Sequence, residues 1–435
     1  MNIYNIKLNS NIINRIFMLL FVTLSFVNST GLLLFLFFII VSSIQGSNES
    51  IKSIVIVTLR SVINPELAPS MSQYEYLKWI VLFTCAAILV KNYFKIKDRS
   101  PLNKFIIPIM YYLIYSSVSS FLFSTLPLVA LMKIFSYGFV FIGILIGVYK
   151  TSPKLDWIAW LHRIFSPIVL GSIVLYILGL GYHPTNLRLF RGVINHPNIL
   201  GTTMVLFIAL NMTILQLKDY KSPFIYHLFI VLSFIIIWWS KARTSFIAAS
   251  ILIIIYLFLI NINLLKKVFI INLFLIVVIS ILFSYPEITE LLYDFLSKGT
   301  GGLLDSVTAS RGNQIGNLIN NFKSNPLFGT GFAVPVLTNR SFVISTEYIV
   351  EPGNLFFAVL GYGGIVGGII FSFFFLNILW KKWEYFKVWI FLPLATVLVS
   401  MGEMVFFSTN NMGPILYLYL AIYVFYDLKY NEKNT

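Results

Sequence analysis

The stretch LRLFRGVINHPNILG, Leu187 to Gly201, sets Arg188, Arg191 and His196 between long runs of Ile, Leu and Phe. Which solvent those cations meet decides the fold. The next run, residues 198–216, has the length of helix that crosses about 30 Å of hydrocarbon, and runs like it punctuate nearly the whole chain. Of 435 residues, 58% are hydrophobic and only 11% charged, a balance that no soluble core of this size requires. In lipid every backbone N–H and C=O has to be satisfied internally, so such runs cross as helices. The chain therefore reads as an all-α polytopic membrane protein, a single integral membrane domain over residues 1–435 with no room for a soluble catalytic domain.

Working outward, spans are expected near 77–94, 103–124, 127–148, 158–180, 198–216, 223–240, 245–262, 267–284, 353–378, 386–406 and 411–427. Residues 12–45 are long for one helix and short for two; they count as one crossing with a break near Asn28 to Gly31, which brings the total to twelve. The N-terminal run lacks a small-residue cleavage site and reads as a retained first membrane segment. Residues 285–350 form the one long hydrophilic stretch, a loop inserted between late spans. Within it Ile315, Leu318, Ile319 and Phe322 recur at helical spacing, and Pro326, Gly329 and Gly331 end that helix in a turn, so a surface amphipathic helix and a loop are implied.

A net charge of +15 would suggest nucleic acid for a soluble protein. Here the lysines and arginines sit mostly in short loops and act as topology signals, so no nucleic-acid partner is expected. On alternation, 18 of them fall on one side and 11 on the other, the 11 spread over much longer loops. Cations accumulate on the cytoplasmic side, which places both termini in the cytoplasm and the 285–350 loop outside. Cys85, the single cysteine, lies in an apolar run and leaves no disulfide or Cys-based metal site.

The outer cations differ in type. Arg188, Arg191, Arg243, Arg311 and Arg340 stand near span ends, whereas lysine dominates the inner loops. Arginine's planar fork matches phosphate oxygens and stays charged when partly desolvated. The alternative for any one of them is snorkelling to headgroups or pairing with loop acids. Arg188 and Arg191 are spaced i,i+3, so a short helix would aim both at one point. Arg243 lies in WWSKARTSFIAAS, a polar interruption at the same membrane face. Several cations at one outer cavity suggest a polyanionic ligand.

These residues resemble the bacterial O-antigen ligase and polymerase family of membrane glycosyltransferases. RGVINHPNILG is similar to the family's Arg-Gly and His-Pro-Asn with a following Gly. SKARTSFIA is similar to its Ser-x-x-Arg-[ST] segment. SRGNQIGNLINNFKSNPLFGTGF is similar to its Arg helix leading to Asn-Pro-Leu-x-Gly-x-Gly, and EPGNLFFAVLGYGGIVGG to its Asn-x-x-Leu segment with a Gly-rich helix. The resemblance spans residues 188–368 in order.

It implies a transfer on the outer face of the cytoplasmic membrane, with no metal and no cofactor. A glycan on an undecaprenyl pyrophosphate carrier passes to an acceptor hydroxyl, on another lipid-linked repeat unit in a polymerase or on lipid A core in a ligase. Chain-length regulator and flippase proteins are the further partners it suggests. Arg188, Arg191, Arg243 and Arg311 would hold the pyrophosphate and stabilise the charge that develops as it leaves. Many relatives place a histidine directly before the asparagine matching Asn354, but this chain has Gly353 there. That departure favours a polymerase and leaves Glu351, then Glu347, as candidate general bases. The structural alternative for Glu351 is a solvated loop acid beside a helix N-terminus. His196 and Asn198 are candidate substrate contacts, with N-capping of the next span as the simpler role for the HPN turn. Asn354 and Glu403 complete the set; Glu403 reads as an acid inside the penultimate span, either functional or in a structural ion pair.

A transporter would also carry many spans and buried charges, but with ionisable groups near the bilayer midplane and two similar halves. The gathering of charge at one face and the late outer loop favour the transferase. The topology has a direct test. A cysteine at Ser306 should react with an impermeant thiol reagent in intact cells and one at Lys97 should not; the reverse pattern would overturn the orientation and the chemistry that depends on it.

Overall fold

The computed structural model describes residues 10–152, 155–184, 189–217, 223–260, 313–334, 353–380, 383–403 and 405–426. Their regular structure is helical. In chain order the helices are α1 (Ser10–Val27), α2 (Ser29–Ser43), α3 (Ser47–Ser61), α4 (Glu75–Lys91), α5 (Ser100–Phe123), α6 (Pro127–Thr151), α7 (Trp157–Ile177), α8 (Pro197–Leu217), α9 (Pro223–Ser240) and α10 (Arg243–Leu259), then α11 (Asn313–Ser324), α12 (Leu355–Leu379), α13 (Trp383–Trp389), α14 (Phe391–Ser400) and α15 (Gly413–Phe425). Seven helical segments among the described residues are long and apolar enough to cross a membrane, and they coincide with the spans expected between residues 77 and 240 and at 353–378. The span expected at 267–284 lies outside the described residues.

The first 61 residues depart from the sequence reading. The expected single crossing over 12–45 is a two-helix hairpin. Asn28 adopts an extended backbone and its side chain accepts from Gly31 N, which caps α2 and reverses the chain. Phe21 of α1 then stacks on Phe38 of α2 at 4.5 Å between ring centroids. Residues 47–61, which lie outside every expected span, form a helix packed in the core. Its apolar face, Ile51, Ile54, Val55 and Val57, is fully buried. Two of its serines turn their hydroxyls onto backbone, Ser50 Oγ donating to Ser43 O at 2.8 Å and Ser61 Oγ to Thr58 O at 2.7 Å, whereas Ser53 Oγ is buried without a hydrogen-bond partner. Arg60 is satisfied by Ser25 O at 2.7 Å and Pro69 O at 2.8 Å. None of these three helices is among the seven long and apolar enough to cross a membrane.

Two groups of loops are joined by hydrogen bonds. At one end Asn92 Nδ2 donates to Ser47 Oγ and Lys150 Nζ donates to Asn92 Oδ1, and the loops of Asn92 and Lys150 are both assigned to the inner side. At the other end Asn64 N donates to Val193 O and Asn195 N to Val62 O, which joins two loops assigned to the outer side. Helices α6, α8 and α15 run through the middle. In α6, Gly143 and Gly147 bring the backbone close to Ala86 and to Ile51 and Leu89, the close approach that small residues allow between helices in lipid. Two tyrosines of α15 each find a carbonyl: Tyr417 OH donates to Phe406 O and Tyr419 OH to Leu206 O.

The span expected over 353–378 is interrupted. Gly364, at φ 62°, breaks α12 into two helical pieces. The freed groups meet the turn after α11. Thr330 N and Gly331 N donate to Gly361 O and Tyr362 O, while Ile365 N and Val366 N donate to Pro326 O and Leu327 O. Tyr115 OH donates to Gly363 O at 2.6 Å. The amphipathic helix expected from Ile315 to Phe322 is present as α11, with Leu318 buried against Gly361. The segment after that turn is no surface loop: residues 329–334 are buried, with Phe332 N on Ser120 Oγ and Lys133 Nζ on Ala333 O. Irregular backbone is tolerated at that depth because it is enclosed by protein.

A Cβ at Gly364 would overlap the Leu327 backbone, and at Gly329, φ 72°, the Tyr362 backbone. Gly364→Ala should therefore destabilise by at least about 2 kcal/mol, from left-handed strain and overpacking together. Gly316→Ala, where a Cβ meets nothing within 4 Å, should instead stabilise by roughly 0.5 kcal/mol or more through helix propensity. Thermal unfolding of the purified variants checks both signs.

Candidate functional site

The loop before α8 is shaped by glycines. Gly181 and Gly192 both adopt positive φ, 78° and 53°, and Arg191 N and Gly192 N both donate to Gly181 O. Tyr182 and Phe190 form an antiparallel bridge. The short helix expected to carry Arg188 and Arg191 is thus replaced over 189–192 by a hairpin-like return, because left-handed Gly192 cannot continue a helix. Arg191 is buried at 3% exposure, and its Nη2 lies 2.7 Å from Glu66 Oε1, outside hydrogen-bond geometry. Its Nε is buried without a hydrogen-bond partner. Glu66, from the α3 to α4 connection, carried no signal in the sequence beyond being an acid in an outer loop.

Four separated stretches meet at the start of α8. His196 caps the helix: its Nδ1 accepts from Asn198 N at 3.2 Å, and Leu200 N donates to its carbonyl. Asn198 Nδ2 donates to Glu403 Oε1 at 2.7 Å. One turn on, Gly201 leaves space for α10, since a Cβ there would stand 2.6 Å from Ala242 Cβ and from Ser245 Oγ. Gly402 does the same against Thr244, at 2.5 Å from its Cβ. Arg243, the first residue of α10, is brought in by these two close approaches. Asn354 caps α12 by accepting from Phe357 N, and its Nδ2 reaches Met401 O at 3.3 Å.

Glu403 does not sit within a span. The helix expected over 386–406 divides into α13 and α14 and stops at Ser400, and Glu403 stands in the turn beyond it. A carboxylate with an amide donor in a turn at the helix end is far less costly than one inside hydrocarbon. Thus His196, Asn198, Arg243, Asn354 and Glu403 gather at one end of the bundle, and Arg191 stands in the loop leading to it. Arg188, Arg311, Glu347 and Glu351 lie outside the described residues.

One cluster escaped the sequence reading. Lys78, on the first turn of α4, is 5% exposed. Its Nζ donates to Asn410 O at 2.6 Å and Asn410 Oδ1 at 2.7 Å, and Asn410 Nδ2 donates to Glu75 Oε1 at 3.0 Å. A lysine inside an apolar span was the available signal, but its partner is 332 residues away.

A polytopic helical membrane protein with a polar, arginine-bearing site at one end of the bundle is the class these features define. Residues 228–372 match the sequence model of the O-antigen ligase family. The matched segment contains Arg243, Arg311, Glu347, Glu351 and Asn354. Among curated proteins nothing matches the chain.

The contact between Asn198 and Glu403 can be tested by exchange. Asn198→Asp removes the amide donor and sets two carboxylates together, so it should destabilise by about 1–3 kcal/mol. Adding Glu403→Gln reverses donor and acceptor and should recover most of that loss. Unfolding of the two variants checks this; no recovery in the double variant would mean that the pair does not hold the turn.

Proposed function

We propose that the chain is a membrane glycosyltransferase that polymerises oligosaccharide repeat units carried on undecaprenyl pyrophosphate into a surface polysaccharide such as O-antigen, capsule or exopolysaccharide. The observation that carries this reading is the convergence of Arg243, the His196-capped start of α8 and Glu403 at one end of the bundle. Lys241 and Arg243 flank the N-terminus of α10, where a cation is disfavoured by about 0.3–1 kcal/mol by the helix dipole. A bound pyrophosphate reverses that sign. Arg243, with Arg188 and Arg311, contacts the phosphates, and Arg191, already against Glu66, holds the loop and adds its charge. Such preorganised donors act most strongly on charge that develops in the transition state, so the carrier leaves without a separate general acid and no metal is needed. Glu351, or Glu347, takes the acceptor proton.

An apolar groove of about 620 Å³ supports the lipid side of this reading. It runs along α12 from Leu355 to Leu376 and is closed by Val397 and Met401. Its upper end adjoins the Asn354 cap, so a polyprenyl chain lying in it presents its pyrophosphate to the site. A second reading, transfer of the finished glycan to lipid A core, is favoured by the family description as O-antigen ligase; Gly353 in place of the loop histidine favours the polymerase. Both readings put the protein in the inner membrane, termini in the cytoplasm, beside a flippase and a chain-length regulator.

Arg243→Ala should abolish transfer while leaving membrane levels intact, and Arg243→Lys should rescue poorly because the bidentate fork is lost. General base catalysis contributes about 10² to 10⁴ in rate, so Glu351→Gln should cut transfer by that order with carrier binding retained. Assays with purified lipid-linked repeat units read both. A loss below about threefold for Glu351→Gln with a large loss for Glu347→Gln moves the base, and near-normal transfer by Arg243→Ala removes the pyrophosphate role. Single repeat units left on the carrier in a deletion strain identify a polymerase, and long untransferred chains a ligase.

A further inference from the structure

A polar cavity of about 440 Å³ opens between the α3 to α4 connection and residues 408–411. It would hold about 15 waters at about 30 Å³ each, well beyond a structural water site, and lies within the range of about 300–1,000 Å³ typical of small-molecule sites. Ser61, Ser72, Glu75, Asn195, Asn410 and Asn411 supply its polar wall. Hydroxyls and amides there offer donors and acceptors side by side, the pattern that vicinal sugar hydroxyls complement. Met71 and Ile199 add apolar surface for the C–H face of a ring.

The charges in the wall are already committed to each other. Asn410 bridges Lys78 and Glu75, so the cavity presents fixed dipoles with its cation and anion balanced, which suits a neutral hydroxylated ligand better than a phosphate. Two groups keep hydrogen-bonding capacity to spare. An ammonium has three donors, and the two hydrogen bonds of Lys78 both go to Asn410. Asn195 Oδ1 is buried with no hydrogen-bond partner, at a cost that a ligand hydroxyl would relieve.

Different residues line this cavity and the apolar groove. Met401 lines the groove, and Ser408, Asn410 and Asn411 line the cavity, so the short segment between α14 and α15, which carries Glu403, contributes to both. Ile199 of the cavity wall adjoins Asn198, which holds Glu403. We infer that this cavity is a saccharide site that holds the acceptor glycan, with the lipid-linked donor at the groove; its acceptor role rests on the transferase reading, its sugar chemistry on the wall alone.

The test uses the full chain in lipid nanodiscs. The probe is the repeat-unit oligosaccharide freed by mild acid from the producing strain's own surface glycan. Ser72→Trp fills the mouth from an exposed position, and Asn195→Leu removes the unpartnered acceptor; unfolding temperatures close to the parent's confirm that both fold, and Asn411→Ala is the milder third variant. Titration calorimetry should show the probe binding to the parent and at least tenfold more weakly to Ser72→Trp and Asn195→Leu. With lipid-linked repeat units as donor, KM for the acceptor should rise by the same factor with kcat nearly unchanged. Failure of the probe to bind the parent, or equal binding to parent and variants, overturns the saccharide site whatever the transfer assay gives. Raised Kd with acceptor KM unchanged overturns the acceptor role and leaves a donor-glycan site. Binding that follows the variants in a parent that transfers nothing keeps the sugar site and removes the transferase reading.

Discussion

A helix broken within the bilayer leaves backbone groups that lipid cannot satisfy, and each such group costs several kcal/mol unless protein supplies a partner. The break at Gly364 is the constraint on which the rest of this molecule turns. The Pro326 to Gly331 turn answers it with four backbone hydrogen bonds, and Tyr115 adds a fifth to Gly363 O. Because these partners come from different parts of the chain, meeting the requirement ties α5, α11 and α12 together. Lys133 and Ser120 extend the tie to Ala333 and Phe332, so the segment after α11 is enclosed rather than solvated.

The break also frees the outer half of α12 to start at its own cap. Asn354 both caps that half-helix and reaches Met401, which fixes the turn bearing Glu403. On the far side of this turn Gly402 admits Thr244, and Gly201 admits Ala242 and Ser245. Close approach through small residues is the ordinary means of helix association in lipid, where burying apolar surface gains little. Here the same packing that holds the bundle draws Arg243 toward Asn198 and Glu403. Stability and site geometry are therefore hard to separate by mutation, which is why exchange of partners is more informative than truncation.

An apolar groove lined in part by Met401 and a polar cavity lined in part by Ser408, Asn410 and Asn411 both draw on the connection between α14 and α15. A reaction that joins a lipid-linked glycan to a hydroxyl needs both kinds of surface within reach of one set of charges. Binding energy from chain and sugar, far from the reacting bond, can then be used to hold the two partners in line.

Composition and run length determined the solvent, and with it the helical class, because an apolar run of span length has no other stable form in lipid. Local patterns determined α11, from Ile315 to Phe322, and the cap at His196, since both depend on residues within one turn. The motifs SKARTSFIA and NPLFGTGF were legible as pieces of a family pattern. Distant partners decided the rest. Residues 47–61 look too polar to be buried until Ser43, Ser25 and Pro69 accept their donors. Lys78 looks misplaced at the start of an apolar span until Asn410, 332 residues on, receives it. Residues 12–45 and 353–378 contain their breaks at Asn28 and Gly364, but whether a break bends a helix, reverses it or admits another segment depends on what packs against it. Spacing along one helix placed Arg188 and Arg191 together; the left-handed Gly192, held by Gly181 O and seated on Ser172, decided otherwise for residues 189–192. For Arg60 and Lys78 the deciding hydrogen bonds, to Ser25 and Asn410, come from other helices or loops, which no local window of sequence contains.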